Sequence, residues 1–174
     1  MNVREMKFKK SGWIIGLLAA TVVLFTATSC LDDDDPNAVV PVAYVSLYHG
    51  SPDAPDLDID VDNRQINFYP FEYAQYTGYL RFYTGDRTLR FGPYAASSIV
   101  IDTTVNFEPE KAYSVFVADE YDDASIVVLE DNSDAPASGN AKLRIINLAP
   151  DAVPFDLVEN ESNAIVTELG FGEA

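Results

Sequence analysis

The chain has 174 residues, with 28 acidic against 11 basic side chains and a formal charge of −17. This balance argues against nucleic acid and anionic lipid surfaces as partners, because affinity for both rests on clustered Lys and Arg. The single cysteine rules out a disulfide framework, so stability has to come from burying Val, Ile, Phe and Tyr.

At the N-terminus, Arg4, Lys7, Lys9 and Lys10 precede an apolar stretch from Trp13 to Phe25, followed by Ala27-Thr28-Ser29-Cys30. Crossing hydrocarbon takes about 20 apolar residues, more than this stretch supplies. A basic start, a short apolar segment and small residues before a cut are instead the parts of a secretory signal, predicted over residues 1–29. Cleavage there leaves Cys30 at the new N-terminus, where its thiol can carry a diacylglycerol thioether. The segment resembles a bacterial lipoprotein box, with Ala27 where the usual pattern has leucine. That resemblance implies lipidation at Cys30, attachment to the outer membrane through the lipid, and an exported protein. The alternative is a free thiol beside an uncleaved anchor, which in an exported chain would itself need explaining. Loss of residues 1–29, with four basic side chains and one acidic, takes the formal charge from −17 to −20.

Asp32, Asp33, Asp34 and Asp35 follow the cysteine. They resemble the acidic export tag of surface lipoproteins of the Bacteroidetes group, which implies display on the outer face of the outer membrane. A block of like charge also repels itself and stays extended. Residues 30–41 are therefore expected to form a flexible tether.

From residue 42 onward the pattern is all-β. Polar and apolar residues alternate over 43–48, 56–62, 79–83, 88–91, 99–107, 113–118 and 125–129. Turn chemistry separates these runs at Gly50-Ser51-Pro52-Asp53, Thr84-Gly85-Asp86, Gly92-Pro93, Glu108-Pro109-Glu110 and Asp122-Asp123. Short strands at roughly 10-residue spacing predict an immunoglobulin-like two-sheet β-sandwich over 42–131. Tyr113, near the start of a late strand, suits a tyrosine corner.

The chain then repeats itself. Residues 45–76 align with 143–174 at an offset of 98 without gaps, matching Pro52-Asp53-Ala54 to Pro150-Asp151-Ala152 and Asp58 to Asp156. Apolar positions follow, with Leu47 matching Ile145, Leu57 matching Phe155, Ile59 matching Leu157 and Phe71 matching Leu169. Residues 132–140, small and turn-forming, are predicted to be a linker. Residues 141–174 then form an incomplete second β repeat, either cut short, which is the favoured reading, or docked on the first domain or another chain. A piece of two or three strands is marginal alone, so mobility or unpaired strand edges are expected there.

Val45-Ser46-Leu47-Tyr48-His49-Gly50-Ser51-Pro52-Asp53-Ala54-Pro55-Asp56-Leu57-Asp58-Ile59, Glu110-Lys111-Ala112-Tyr113-Ser114-Val115-Phe116-Val117-Ala118 and Leu143-Arg144-Ile145-Ile146-Asn147-Leu148-Ala149-Pro150-Asp151-Ala152 together carry a resemblance. They resemble tandem units of the bacterial family called domain of unknown function 4397. The resemblance implies a secreted or lipid-anchored β-sandwich and carries no established activity.

Among candidate sites, the repeated turn Pro52, Asp53, Ala54 and Pro150, Asp151, Ala152 comes first. Proline presets its own φ, and the aspartate carboxylate is expected to accept a bond from a backbone N–H two residues on. The turn is then structural, or else a recognition loop at one end of the sandwich. Asp56, Asp58, Asp60 and Asp62 share one strand face opposite Leu57, Ile59 and Val61. Calcium would relieve their repulsion, yet the calcium-loop template fails, with Asn63 at its sixth position and Tyr69 at its twelfth. No metal site and no cofactor are predicted. Phe68, Tyr69, Phe71, Tyr73, Tyr76, Tyr79, Phe82 and Tyr83 either fill the core, about half of them, or form a glycan platform. His49, the single histidine, sits before the first Pro-Asp-Ala turn and is expected to be structural. With no nucleophile elbow or zinc-spaced set, no catalytic residue is assigned and an enzyme is not expected.

These features predict a non-enzymatic cell-envelope lipoprotein presenting a binding or adhesion module at the surface, with an extracellular protein or glycan as partner. The alternative is a structural or envelope-assembly component associating through strand edges. A glycan-binding or glycan-processing accessory is a third reading.

Overall fold

The computed structural model describes residues 39–174 apart from 133, 161 and 162, and the described chain is all-β. Cys30 and Asp32 to Asp35, with the signal segment and most of the tether, lie outside the described residues. Among those described, no helix is long and apolar enough to cross a membrane.

Two four-stranded sheets form the body. The first contains β1 (Val42–His49), β4 (Leu80–Tyr83), β7 (Ala112–Ala118) and β8 (Ser125–Asp131), in the order β4-β1-β7-β8. The second contains β2 (Leu57–Val61), β3 (Arg64–Gln65), β5 (Gly85–Pro93) and β6 (Ile101–Phe107), in the order β3-β2-β5-β6. All neighbours run antiparallel except β1 and β7, which are parallel, with Val45 opposite Tyr113 and Leu47 opposite Val115.

Alternation decides what each face buries. Val45 and Leu47 of β1 and Val115 and Val117 of β7 meet Leu57, Ile59, Leu89, Phe91 and Ile101 of the opposite sheet in one core. Phe107 is fully buried and meets Phe82 and Tyr113 edge to face, at ring separations of 5.7 and 5.1 Å. Burying such a side chain contributes about 1.5–3 kcal/mol. The Tyr113 hydroxyl accepts the Glu108 backbone N–H at 3.2 Å, the tie to upstream backbone that defines a tyrosine corner.

The strands depart from the sequence pattern in three places. The two-residue β3 is too short for alternation to register. Only Thr84 separates β4 from β5, yet the two lie in different sheets, and Gly85 at φ 86° makes the crossing. Gly92-Pro93 ends β5 instead of forming a free turn. A Cβ on Gly92 would stand 2.1 Å from the Ser98 carbonyl oxygen, so this close approach admits glycine only.

Beyond residue 140, β9 (Phe155–Asn160) and β10 (Asn163–Leu169) form a two-stranded antiparallel sheet. They pair only with each other among the described residues, which leaves both outer edges open. The rest of the segment lies against the outer face of the first sheet. Arg144 reaches Asp131 and Ser114, the Leu148 side chain sits over Gly50, and Gly172 approaches Val127. Ser114 and Phe116 alternate outward from β7 and are nevertheless buried beneath this layer.

The 98-residue offset recurs in the backbone bonds. The Ala74 N–H donates to the His49 carbonyl at 2.8 Å, and the Gly172 N–H donates to the Asn147 carbonyl at 2.8 Å. Gln75 bonds Glu72 at 3.0 Å as Glu173 bonds Gly170 at 3.2 Å, and Leu57 pairs Phe71 as Phe155 pairs Leu169. Residues 141–154, by contrast, form no strand.

Candidate ligand-binding clefts

The two Pro-Asp-Ala turns come together at one end of the sandwich. Pro52 from the first and Pro150 and Asp151 from the second line a cleft of about 440 Å³, with Tyr48, Tyr73 and Phe116 along its walls. The first turn is clamped to the end of β7. Gly50 N–H donates to Val117 O at 2.7 Å, and Ser51 Oγ donates to Asp119 O at 2.7 Å. The expected local bond from Asp53 does not form, because the residue two positions on is Pro55, which has no N–H. The Asp53 carboxylate accepts the Tyr121 backbone N–H at 2.9 Å instead, 68 residues away. In the second copy the capping group is Asn147, whose side-chain oxygen accepts Ala149 N–H at 3.0 Å while its amide donates to Leu169 O at 3.1 Å. Ala54 and Ala152 do not line the cleft.

His49 backs this cleft and is 1% exposed. Its Nε2 lies 3.2 Å from the Pro55 carbonyl, so the neutral ring donates from that nitrogen, and Phe71 and Tyr73 pack against it. Burial lowers its pKa from the usual histidine value, opposed by the Pro55 bond and the Asp56 charge. A ring so enclosed works as packing.

Two of the four carboxylates of this face, Asp58 and Asp62, are engaged within the fold. Asp58 accepts from Gln65 Nε2 at 2.6 Å and from Ala95 N–H at 2.8 Å. Asp62 accepts from Arg87 at 2.9 Å and from Thr88 N–H at 3.0 Å. At these two positions donors inside the protein meet the charge that calcium would otherwise have met. Among the described residues no group of three or more His, Cys, Asp or Glu side chains is placed to hold a metal.

The aromatics depart from the expected division. Only Phe71 and Phe82 of the eight are buried, whereas Phe68 is 91% exposed and Tyr69 82%, and Tyr73, Tyr76, Tyr79 and Tyr83 are also exposed. Most of this aromatic series therefore faces solvent. Tyr76 stacks on Tyr48, which stacks on Phe116, at centroid separations of 5.6 and 4.6 Å. Tyr79 donates to Asp131 at 2.8 Å, and that bond to a carboxylate, reinforced by burial, raises its pKa. Asp131 also accepts from Ser114 Oγ at 2.9 Å and pairs with Arg144, tying the aromatic edge to the C-terminal segment.

A second cleft, of about 460 Å³, opens between the edge strands β3 and β4. Arg64, Arg81 and Arg87 line it with Phe68 and Tyr83. The sequence reading missed this group. Its one available signal was three arginines between residues 64 and 87 of an otherwise acidic chain.

The fold is a two-sheet β-sandwich with open clefts at its edges. The family model described as "Domain of unknown function (DUF4397)" matches residues 43–158, well over half of the chain. The chain belongs to that family. No curated protein matches it.

Proposed function

We propose that the chain is a non-enzymatic lipoprotein, anchored in the outer membrane through Cys30 and displayed at the cell surface, whose sandwich binds an extracellular glycan or protein. The observation that carries this reading is the run of exposed aromatics, Phe68, Tyr69, Tyr73, Tyr76, Tyr79 and Tyr83, beside two open clefts. Phe68 and Tyr83 line one of the clefts and Tyr73 the other; exposed apolar groups gathered at a cleft mark interaction sites, and ring faces suit stacking on sugars. The signal segment, Cys30 and Asp32 to Asp35 support the location. The recurrence of the His49–Ala74 bond as Asn147–Gly172 supports reading residues 141–174 as related to residues 43–76.

Two measurements test the proposal together. On intact cells the protein should take up metabolic lipid label, lose it on Cys30→Ala, and be cut by external protease. On a glycan array, Phe68→Ala with Tyr69→Ala should weaken retention about tenfold or more, as expected for loss of stacked rings. Undiminished retention would remove the aromatic surface from the binding role.

The open edges of β9 and β10 favour a second reading, as an envelope-assembly component joining other chains by strand pairing. Lipid label with full protection from external protease would move that reading ahead.

A further inference from the structure

The cleft between β3 and β4 stands apart electrostatically from the rest of the molecule. Seven of the chain's basic residues lie beyond position 30, and three of them, Arg64, Arg81 and Arg87, line this one space. Its single acidic lining residue is Asp62, which is paired with Arg87 at 2.9 Å. Arg64 and Arg81 have no ion-pair partner among the described residues. Arg87 Nε is buried without an acceptor, a donor left unmatched where nearly all buried donors are matched. Charged side chains on edge strands guard against sheet-to-sheet pairing, and that explains charge here. It does not explain why Arg64 and Arg81 converge on one cleft without a carboxylate partner in so acidic a chain.

The apolar part of the cleft includes two exposed aromatic residues, Phe68 and Tyr83, beside Val61, Ile66 and Phe82. Phe68 and Tyr83 line the space together with the arginines, and the volume falls within the range of small-molecule sites. Guanidinium forks match carboxylates in a bidentate geometry, while aromatic faces accept the C–H face of a sugar ring. An extended acidic peptide fits less well, since β3 is two residues long and offers too short an edge for strand addition.

Resting on the reading of the chain as a glycan-binding module, we infer that this cleft binds a sugar bearing a carboxylate, of the uronic acid or sialic acid class. Arg64 and Arg81 receive the carboxylate and Phe68 and Tyr83 stack on the ring.

Titration of the full chain in detergent tests this with a galacturonic acid oligomer, its neutral methyl ester, a sialylated oligosaccharide, inorganic phosphate and a polyglutamate peptide. The expected result is saturable binding of one or both acidic sugars, with the ester at least about tenfold weaker because the charged hydrogen bonds are lost. Arg81→Gln and Phe68→Ala should each weaken the acidic sugar by about tenfold. Both side chains are exposed, so an unchanged thermal midpoint confirms that the variants are folded. Whether the galacturonic or the sialylated probe binds identifies the source of the carboxylate. Equal binding of acid and ester, unaffected by Arg81→Gln, overturns the inference and leaves the broader binding reading standing. Phosphate or polyglutamate binding as tightly as the sugars overturns it in favour of simple anion or peptide capture. If neither sugar binds while the array still retains other glycans, only this inference falls; an empty array removes both.

Discussion

The sandwich and the C-terminal segment begin with nearly the same instructions and reach different structures. Around His49 and around Asn147 the same backbone bonds form, and Leu57–Phe71 pairing recurs as Phe155–Leu169. Val42–His49 becomes a central strand, however, while its counterpart around 143–147 forms none. The difference lies in partners, because β1 is held between β4 and β7 and nothing equivalent flanks the second copy among the described residues. Turn geometry is thus written locally. A strand, whose hydrogen bonds all point at neighbours, is not.

Cutting the same position in each copy should separate the two most strongly. Phe71 and Leu169 are equally buried, but Phe71 belongs to the closed core. Phe71→Ala is expected to cost about 3–5 kcal/mol of global stability by denaturant unfolding. Leu169→Ala should instead leave the sandwich midpoint nearly unchanged and speed amide exchange across 155–173. Equal losses of global stability would mean that the two parts unfold as one cooperative unit.

A smaller effect is expected at the seam. A Cβ on Gly50 would stand 2.9 Å from Leu148 Cδ1 and 3.0 Å from Val117 O. Gly50→Ala should therefore cost about 1–3 kcal/mol through overpacking. Part of that cost should return in Gly50→Ala with Leu148→Ala, which a double-mutant cycle would detect. An additive cycle would place the strain at the Val117 carbonyl alone.

The smallest difference is one of pH. His49 is buried with a lowered pKa, so the unfolded chain takes up a proton more readily than the folded one. Stability should be fully present above the ordinary histidine value near 6.5 and fall as pH drops from there toward the folded value. The counterpart Asn147 does not titrate. Thermal midpoints of the parent chain and His49→Asn, compared across that window, should converge at low pH, and parallel curves would show that His49 carries no such linkage.

How much the sequence revealed follows the same division between local and distant. Alternation marked the main strands of the sandwich, since period-two burial needs only a residue's own neighbours in the chain. The corner at Tyr113 was also legible. The sheet change at Thr84 was not, because a short glycine-containing gap such as Thr84-Gly85-Asp86 between two strand patterns ordinarily signals a hairpin. Nor was the bond from Asp53 to Tyr121, made across 68 residues. The aromatic series misled because residues 68–79 lie mostly outside the strands, where period two says nothing about which rings turn inward. The arginine cleft depends on two edge strands meeting in space, and the shorter of them leaves no pattern at all.

The parallel pairing of β1 with β7 also sets a schedule. The first strand of the sandwich to emerge from the ribosome finds one of its two neighbours only when residues 112–118 have been made. Contacts so distant in the chain are slow to close. Until then the nascent polypeptide can form hairpins and turns but no finished sheet around β1, and its apolar strands remain available to chaperones. A sandwich whose first strand is completed by its next-to-last strand stays open, and so able to be threaded, until that strand has been made.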